Sequence, residues 1–319
     1  MTRWEAALKT EQTKRTKRFF TYNRSLKIKK GLYAFFALLL LIPVAVAFLA
    51  PTVLTITNSF MDKSEITANY GLIFEDAALG GGYISERVNL KLIPDIVSFS
   101  QYNTFLIKSP QYLLKFWNSM ILVLPIVVFQ ILIALGAAYC FARFKSRFRS
   151  FVFFFYIILM MMPYQVTLVP NYMVADFLGL LETRWSIILP GIFSPFSVFI
   201  LTKYMRRIPK AVIEAAKLDG VGEWSMFTRI FVPMSKSTIY SVAILVFIDY
   251  WNMVEQPLVL LRATPDLHPL SVFLSQINAG DVGLAFAVAT VYMVPTLLLF
   301  LYSEDYLIEG ISYAGGVKA

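Results

Sequence analysis

The sequence predicts an all-α membrane protein with six transmembrane helices, and two observations carry this prediction. The first is composition: 58% of the 319 residues are hydrophobic and only 15% are charged, whereas soluble domains carry about 25% charged residues. The mean hydropathy of +0.64 agrees with this. The second is patterning, because the apolar residues gather in six runs of about twenty residues, and each such run can cross the hydrocarbon core of a bilayer.

The six runs divide the chain into spans and polar connections. The predicted spans are residues 32–57, 118–141, 151–174, 185–204, 237–254 and 283–307. The predicted organisation is a basic tail (1–31), a first transmembrane helix (32–57), a polar loop (58–117), a five-helix core (118–307) that contains a second polar loop (205–236), and a C-terminal tail (308–319).

Basic residues mark one side of the predicted bundle. The net charge is +9, and the surplus Lys and Arg lie in the tail 1–31, in the cluster 143–149 and in the loop 205–236. Cytoplasmic loops of membrane proteins carry this excess. We therefore predict that these segments and both termini are cytoplasmic, and that the loop 58–117 is extracytoplasmic. Nucleic-acid binding is another class that positive charge suggests, and the hydropathy disfavours it.

The sequence contains little of what enzymatic chemistry requires. Its one cysteine, Cys140, lies inside an apolar run, and its one histidine is His268. A single cysteine cannot form a disulfide within the chain or a thiolate metal site. With one histidine and one cysteine inside an apolar run, neither a Cys/His nor a Ser/His/Asp catalytic set is available. No glycine-rich loop followed by lysine is present to hold ATP phosphates. We therefore predict no enzyme activity, no cofactor and no metal in this chain.

The polar stretch from Pro209 to Pro233 is the segment around which the rest of the chain is organised. Good helix formers follow Pro209, and Gly220 and Gly222 then interrupt them. Apolar residues recur at helical spacing from Trp224 onwards until Pro233, so the stretch predicts a helix, a tight turn at the glycines and a second helix that ends at Pro233. From the residues alone, a connector lying on the membrane surface is an equal alternative. A DNA-reading helix-turn-helix is disfavoured by the membrane-length apolar runs on both flanks.

The same stretch carries a motif with long and specific spacing. It reads Glu-Ala-Ala at 214–216, then Gly220, Ile230 and Pro233. This resembles the EAA loop, E-A-A-x3-G-x9-I-x-L-P, of binding-protein-dependent ABC import permeases, with Val232 in place of the leucine. The resemblance extends over roughly 115–319 and is strongest to the maltose-type carbohydrate permeases, including their glycine-rich C-terminal ending.

The resemblance implies a function and a set of partners. The chain would be the transmembrane permease subunit of an ATP-driven, binding-protein-dependent importer of a sugar, oligosaccharide or glycoside in the bacterial inner membrane. Its partners would be a second homologous permease, a dimer of ABC ATPase subunits that binds ATP and Mg, and an extracytoplasmic solute-binding protein. Two other classes stay open at this point: a self-contained secondary transporter or channel, and a membrane anchor or sensor whose polar loop docks a signalling partner.

The resemblance also assigns the loop 205–236 a role in coupling to the ATPase. Residues without bulk at 215 and 216 would let the helix backbone lie close to a partner, and Glu214 would meet a basic or amide group there. Gly220 would permit the sharp turn. The residues expected to couple transport to the ATPase are Glu214, Ala215, Ala216, Asp219, Gly220, Ile230 and Pro233.

Polar side chains inside the spans predict the solute path, because such groups are costly in lipid and usually face a cavity. The residues predicted to line it are Tyr164, Gln165, Asp249, Tyr250 and Asn252. An equal alternative for Asp249 and Asn252 is a helix end outside the membrane, where polarity costs little. Gln276 and Asn278 are expected, by resemblance, to contact the solute-binding protein, although a plain surface loop explains them as well.

Overall fold

The computed structural model describes residues 33–66, 68–70, 90–276 and 282–315, with side chains as far as 306. Within these ranges the chain is helical apart from turns, short connections and one isolated bridge between Met61 and Val97. The predicted all-α class is confirmed. The basic tail 1–31, Asn278 and the last four residues of the predicted C-terminal tail lie outside the described residues.

Helices are numbered here in chain order, and short helical turns are left unnumbered. The helices are α1 (Tyr33–Asn58), α2 (Pro110–Arg143), α3 (Arg147–Met160), α4 (Tyr164–Phe177), α5 (Trp185–Gly191), α6 (Pro195–Met205), α7 (Lys210–Leu218), α8 (Glu223–Met234), α9 (Lys236–Trp251), α10 (Glu255–Leu260), α11 (Leu270–Ser275) and α12 (Val282–Gly315). The first turns of α8 pass into a π-helical turn over Phe227–Phe231.

Four helical segments are long and apolar enough to cross a membrane on their own: α1, α2, the α5–α6 pair taken as one segment, and the first 25 residues of α12. Two further pairs pass the same test together but bend, α3–α4 by 105° and α8–α9 by 73°. If each bent pair is one span, the described residues provide six crossings, which is the predicted number.

The third predicted span, 151–174, was expected to be one helix, and the structure corrects this. Helix α3 ends at Met160, and Pro163 takes an extended conformation before α4 begins. A proline disfavours helical backbone in the residue before it, and it has no N–H to continue the helical hydrogen bonds. The chain therefore turns sharply at Met161–Pro163, and the bend places the polar start of α4 inside the bundle.

The second span is longer than hydropathy predicts. It begins at Pro110 rather than at Asn118, so its first turns occupy part of the predicted loop 58–117. Lys115 in these turns and Asn118 just after them donate to the carbonyls of Pro265 and Asp266. Polar residues of this kind lower the hydropathy at the start of the helix. In the same way α12 continues to Gly315, beyond the predicted end of its span at 307.

The core lies between α2, α6 and α9, which pack against one another. Leu122 and Ile126 of α2 and Leu201 of α6 are fully buried there. Helix α12 packs along α9, and Trp251 and Tyr292 stack with ring centroids 5.2 Å apart while each bonds the other's backbone carbonyl. By contrast, none of the most apolar window of α1 is buried, so α1 presents a lipid or protein contact surface rather than a core face.

Candidate functional site

The loop 205–236 folds as the predicted helix, turn and helix. Helix α7 ends at Leu218, and Gly220 follows in the left-handed region with φ +72°. The N–H groups of Gly220 and Val221 bond the carbonyls of Lys217 and Ala216 at 3.0 Å each, which satisfies the end of the helix. The turn therefore depends on Gly220 for its backbone conformation.

Three details of this loop differ from the prediction. Gly222 has φ −70° and precedes α8 in an extended conformation, so only Gly220 needs positive φ. Space is also open around Gly220, so its backbone angle, and not crowding, is what excludes a side chain. Pro233 does not end the second helix: a π turn, with the Val232 N–H bonded to the carbonyl of Phe227, precedes it, and the chain bends at Ser235.

Helix α7 has a buried side and an exposed side. Ala216 is 7% exposed and packs against the core of the bundle. On the other side Ala211, Ala215 and Leu218 follow one another at helical spacing and are exposed, with Leu218 at 90%. We call these three residues the apolar face of α7. No part of the described chain covers this face, so it is available for contact with another protein.

The other motif residues surround this face without belonging to it. Asp219 and Pro233 are exposed, and Ile230 is half-buried against the bundle core. Glu214 is exposed and lines a cavity whose other charged side chains are all basic. The structure thus brings Glu214 close to cations of its own chain.

A carboxylate ties α8, the second helix of this loop, to α2. Glu223 accepts a hydrogen bond from the Tyr139 hydroxyl at 2.5 Å and one from Arg143 Nη2 at 3.0 Å. The Tyr139 ring packs edge-on against Phe231 and tilted against Phe227, with centroids 4.8 and 5.2 Å away. Sequence analysis missed this contact, because nothing in the spacing of residues 139, 143 and 223 indicates that they meet.

A cavity of about 630 Å³ lies within the bundle between α2, α4, the α5–α6 junction and α9. Three of the predicted path residues line it: Tyr164, Asp249 and Tyr250. The other two bond elsewhere. Gln165 donates to Glu255 at 3.4 Å, and Asn252 accepts from the Tyr292 hydroxyl at 3.0 Å.

Gln130 of α2 is the cavity residue with the clearest unmet bonding capacity. Its side chain is 1% exposed, and its Nε2 donates to the Ser197 hydroxyl at 2.7 Å. Its Oε1 is buried and has no hydrogen-bond partner in the described structure. Buried polar atoms are usually paired, so an unpaired acceptor beside a cavity points to a donor supplied by a ligand or by water. A glutamine in the middle of an apolar span was the signal that sequence analysis passed over.

At the end of the bundle opposite α7, a polar network holds the segment 261–270 against α2. The Asn118 amide donates to the carbonyl of Asp266 at 2.6 Å and accepts from Arg184 Nη2 at 2.7 Å. The single histidine, His268, is buried, and its Nε2 lies 2.8 Å from the carbonyl oxygen of Leu261. Gln276 lies exposed just after α11 on this part of the chain.

Glu182 fixes the neighbouring connection. It has φ +62°, and its carboxylate accepts from Ala263 N at 2.9 Å and from the Thr264 hydroxyl at 2.8 Å. Burial raises the pKa of this carboxyl, but the hydrogen bonds from Ala263 and Thr264 outweigh burial and hold its pKa below the ordinary value of 4.5. A lowered folded-state pKa means that this contact stabilises the fold above pH 4.5 and is lost as the pH falls through the lowered value.

Replacing Arg184 by alanine is expected to loosen the segment 261–270. The change removes the hydrogen bond to Asn118, so a buried amide oxygen loses a charged donor, which costs about 2 kcal/mol. Limited proteolysis of the purified protein should show faster cleavage in that segment. Arg262→Ala removes an exposed arginine from the same segment and should leave the cleavage rate unchanged. Equal rates for the two variants would contradict this role of Arg184.

These features define a class: a multi-pass helical membrane protein with a cavity in its bundle that polar side chains help to line, and an exposed helix pair at one end, as in the membrane subunit of a transporter. The chain belongs to the family of binding-protein-dependent transport system inner membrane components, whose model matches residues 130–312. Among the described residues, no three His, Cys, Asp or Glu side chains form a metal-binding group.

Curated relatives from several bacteria agree. The chain is 30% identical over 236 residues to the arabinooligosaccharides transport system permease protein AraQ of Halalkalibacterium halodurans. This alignment covers 72% of this chain and 83% of the relative. The chain is 31% identical over 211 residues to the lactose transport system permease protein LacG of Rhizobium radiobacter. That alignment covers 64% of this chain and 75% of the relative.

The fold is also found in a solved structure. The chain is similar, with a TM-score of 0.70 and 20% identity, to a chain of a bacterial ABC transporter involved in the import of the acidic polysaccharide alginate. The similarity covers 86% of this chain and 96% of the other. This likeness shows that the fold of the chain also occurs in that solved structure.

Proposed function

We propose that this family member is a carbohydrate permease subunit that forms part of the translocation path and is driven by a separate ATPase. The cavity within the bundle carries the carbohydrate part of the proposal. Its lining combines the Asp249 carboxylate, the Gln130 amide and the hydroxyls of Tyr164 and Tyr250 with the ring of Phe193. Carboxylates and amides bond sugar hydroxyls, and aromatic rings pack against the apolar C–H faces of a sugar.

The relatives support the same substrate class. Two of them are named for the transport of arabinooligosaccharides and of lactose. A second similar structure, with a TM-score of 0.50 and 18% identity, contains a periplasmic protein with bound alginate pentasaccharide. A sugar or oligosaccharide delivered by an extracytoplasmic binding protein fits both observations.

The remaining partners follow from the surfaces of the chain. A dimer of ABC ATPase subunits, carrying ATP and Mg, would bind the apolar face of α7, with Gly220 setting the angle between α7 and α8. A second homologous permease would cover the unpacked α1 and complete the solute path. The excess of basic residues at the α7 end and in the tail 1–31 supports a cytoplasmic position, in a bacterium, for that end and for both termini.

The proposal is tested by reconstituting the complete complex in liposomes. Sugars are then screened for stimulation of ATP hydrolysis and for uptake that requires both ATP and the binding protein. Stimulation by one sugar class is the expected result. Gradient-driven uptake by this chain alone would contradict the proposal and favour a secondary transporter.

The Gln130→Leu variant tests the cavity directly. The change removes the unpaired acceptor and keeps most of the side-chain volume, so solute binding in the path should weaken about tenfold, which corresponds to about 1.4 kcal/mol for one hydrogen bond. The measurement is the sugar concentration that half-saturates uptake. Gln165→Leu is the matched control, because Gln165 bonds Glu255 outside the lining and should shift this concentration little. An equal shift in both variants would contradict the assignment of the cavity.

A further inference from the structure

A second cavity, of about 1080 Å³, lies at the α7 end of the bundle and is lined by seven Lys or Arg side chains and one Glu. The basic residues come from separate elements: the end of α2, the α2–α3 connection, the start of α3, the end of α6 and one side of α7. Elements distant in sequence thus converge on one concave, positively charged surface. The function proposed above assigns no role to these seven basic side chains, although Glu214 of the same lining is one of the residues expected to couple transport to the ATPase.

The positive charge in this cavity is largely uncompensated. Within the described ranges Arg143 is the one lining cation with a carboxylate close enough for an ion pair, and its partner is Glu223. Glu214 is the one acidic side chain of the lining, and it forms no ion pair there. Like charges held together without counterions repel one another, so the cavity favours an anion.

Two of the guanidinium groups are already oriented. The Cζ atom of Arg149 lies 5.0 Å from the centroid of the Phe144 ring, and that of Arg206 lies 4.7 Å from the centroid of the Phe153 ring. Arg206 Nη2 also donates to the carbonyl of Phe141 at 3.2 Å. Contact with a ring restrains a guanidinium and leaves further N–H donors at its edge. Such edges bind phosphate oxygens in pairs, with little further loss of side-chain freedom.

The position of the cavity distinguishes a lipid from a free anion. The membrane-length segments α2 and α5–α6 end at Arg143 and Met205, and both residues line the cavity. Its basic rim therefore lies where the spans leave the membrane. Its floor is apolar and includes Met205, Ile208 and Phe231. A charged rim over an apolar floor at the membrane boundary matches a phosphate headgroup together with the first carbons of its acyl chains.

We propose that this cavity binds the phosphate headgroup of an anionic phospholipid, between the start of α3 and helix α7. Lys210 and Lys217 of α7 and Arg147 and Arg149 of α3 hold it from opposite sides. The lipid links the helix that carries the EAA-like motif to the first half of the bent span. The charge of the bilayer thus acts on the orientation of α7.

The test uses the whole transporter complex in nanodiscs of phosphatidylcholine with increasing phosphatidylglycerol, and native mass spectrometry counts the phosphatidylglycerol retained by the complex. The variants R147Q/R149Q and K210Q/K217Q should each weaken retention about thirtyfold, because one basic side chain near an anionic lipid contributes a factor of about five. The control R229Q/R262Q removes the same charge outside the cavity and should retain the lipid as the unmodified complex does.

Three outcomes would overturn the proposal. The first is equal retention by the cavity variants and the control. The second is displacement of the lipid by millimolar inorganic phosphate, which would assign the cavity to a free anion. The third is retention only after the ATPase subunits have been removed, which would assign the cavity to the interface with an acidic protein surface. Because the readout is lipid binding, failure of the carbohydrate assignment would leave this test intact.

Discussion

Replacing Gly220 by valine is expected to reduce ATP-driven uptake strongly while leaving insertion into the membrane intact. Gly220 has φ +72°, a conformation that costs an ordinary residue about 1–2 kcal/mol and a β-branched one more. The chain can relieve that strain by changing the angle between α7 and α8. The apolar face of α7, including Leu218, would then turn away from its partner.

The expected loss of uptake is about thirtyfold or more, because a loss of about 2 kcal/mol in the binding of α7 to its partner corresponds to that factor. The measurements are uptake into proteoliposomes and the amount of ATPase that co-purifies with the variant. Gly222→Ala is the matched control: Gly222 has φ −70° and open space around it, so alanine fits there without strain. Normal ATPase co-purification and uptake in Gly220→Val would contradict the role assigned to this turn.

The sequence predicts the helical class, the membrane-length runs and the helix pair around Gly220, because each follows from local chemistry. Apolar length decides whether a segment can cross a bilayer, and a glycine at a helix end decides where the helix turns. The cavity residues Asp249 and Tyr250 could be predicted for a related reason. A polar side chain inside an apolar span is costly when it faces lipid, so it usually faces a cavity or a neighbouring helix.

Contacts between distant segments could not be predicted in this way. The sharp bend between α3 and α4 turns the start of α4 towards the cavity, and no periodicity in 151–174 indicates its angle. The contact of Glu223 with Tyr139 and Arg143 joins residues 80 or more positions apart. The face on which Gln165 and Asn252 lie is set by neighbours, Glu255 and Tyr292, whose positions depend on the whole fold.

Glu223→Gln is expected to separate ATP hydrolysis from transport. Glu223 joins α8 to α2 through Tyr139 and Arg143, whereas the apolar face of α7 is on a different helix. The neutral amide loses the charge that pairs with Arg143, a side chain that is only 14% exposed. Since the Glu223 side chain is about half exposed, solvent screens part of this loss, and about 1 kcal/mol remains. Movement of α7 would then reach the bundle incompletely.

The measurement is the ratio of ATP hydrolysed to sugar transported, which should rise several-fold in Glu223→Gln while the ATPase still co-purifies. Glu304→Gln, which neutralises an exposed carboxylate on α12, should leave the ratio unchanged. Tyr139→Phe removes the second donor to the same carboxylate, so its effect on uptake should overlap with that of Glu223→Gln by about 1 kcal/mol in a double-mutant cycle. Strictly additive effects, or hydrolysis and uptake that fall in equal proportion, would contradict this role of Glu223. Force from the ATPase would then reach the bundle by another contact. The next candidate is Tyr204 of α6, whose hydroxyl donates to the carbonyl of Met234 at 3.1 Å.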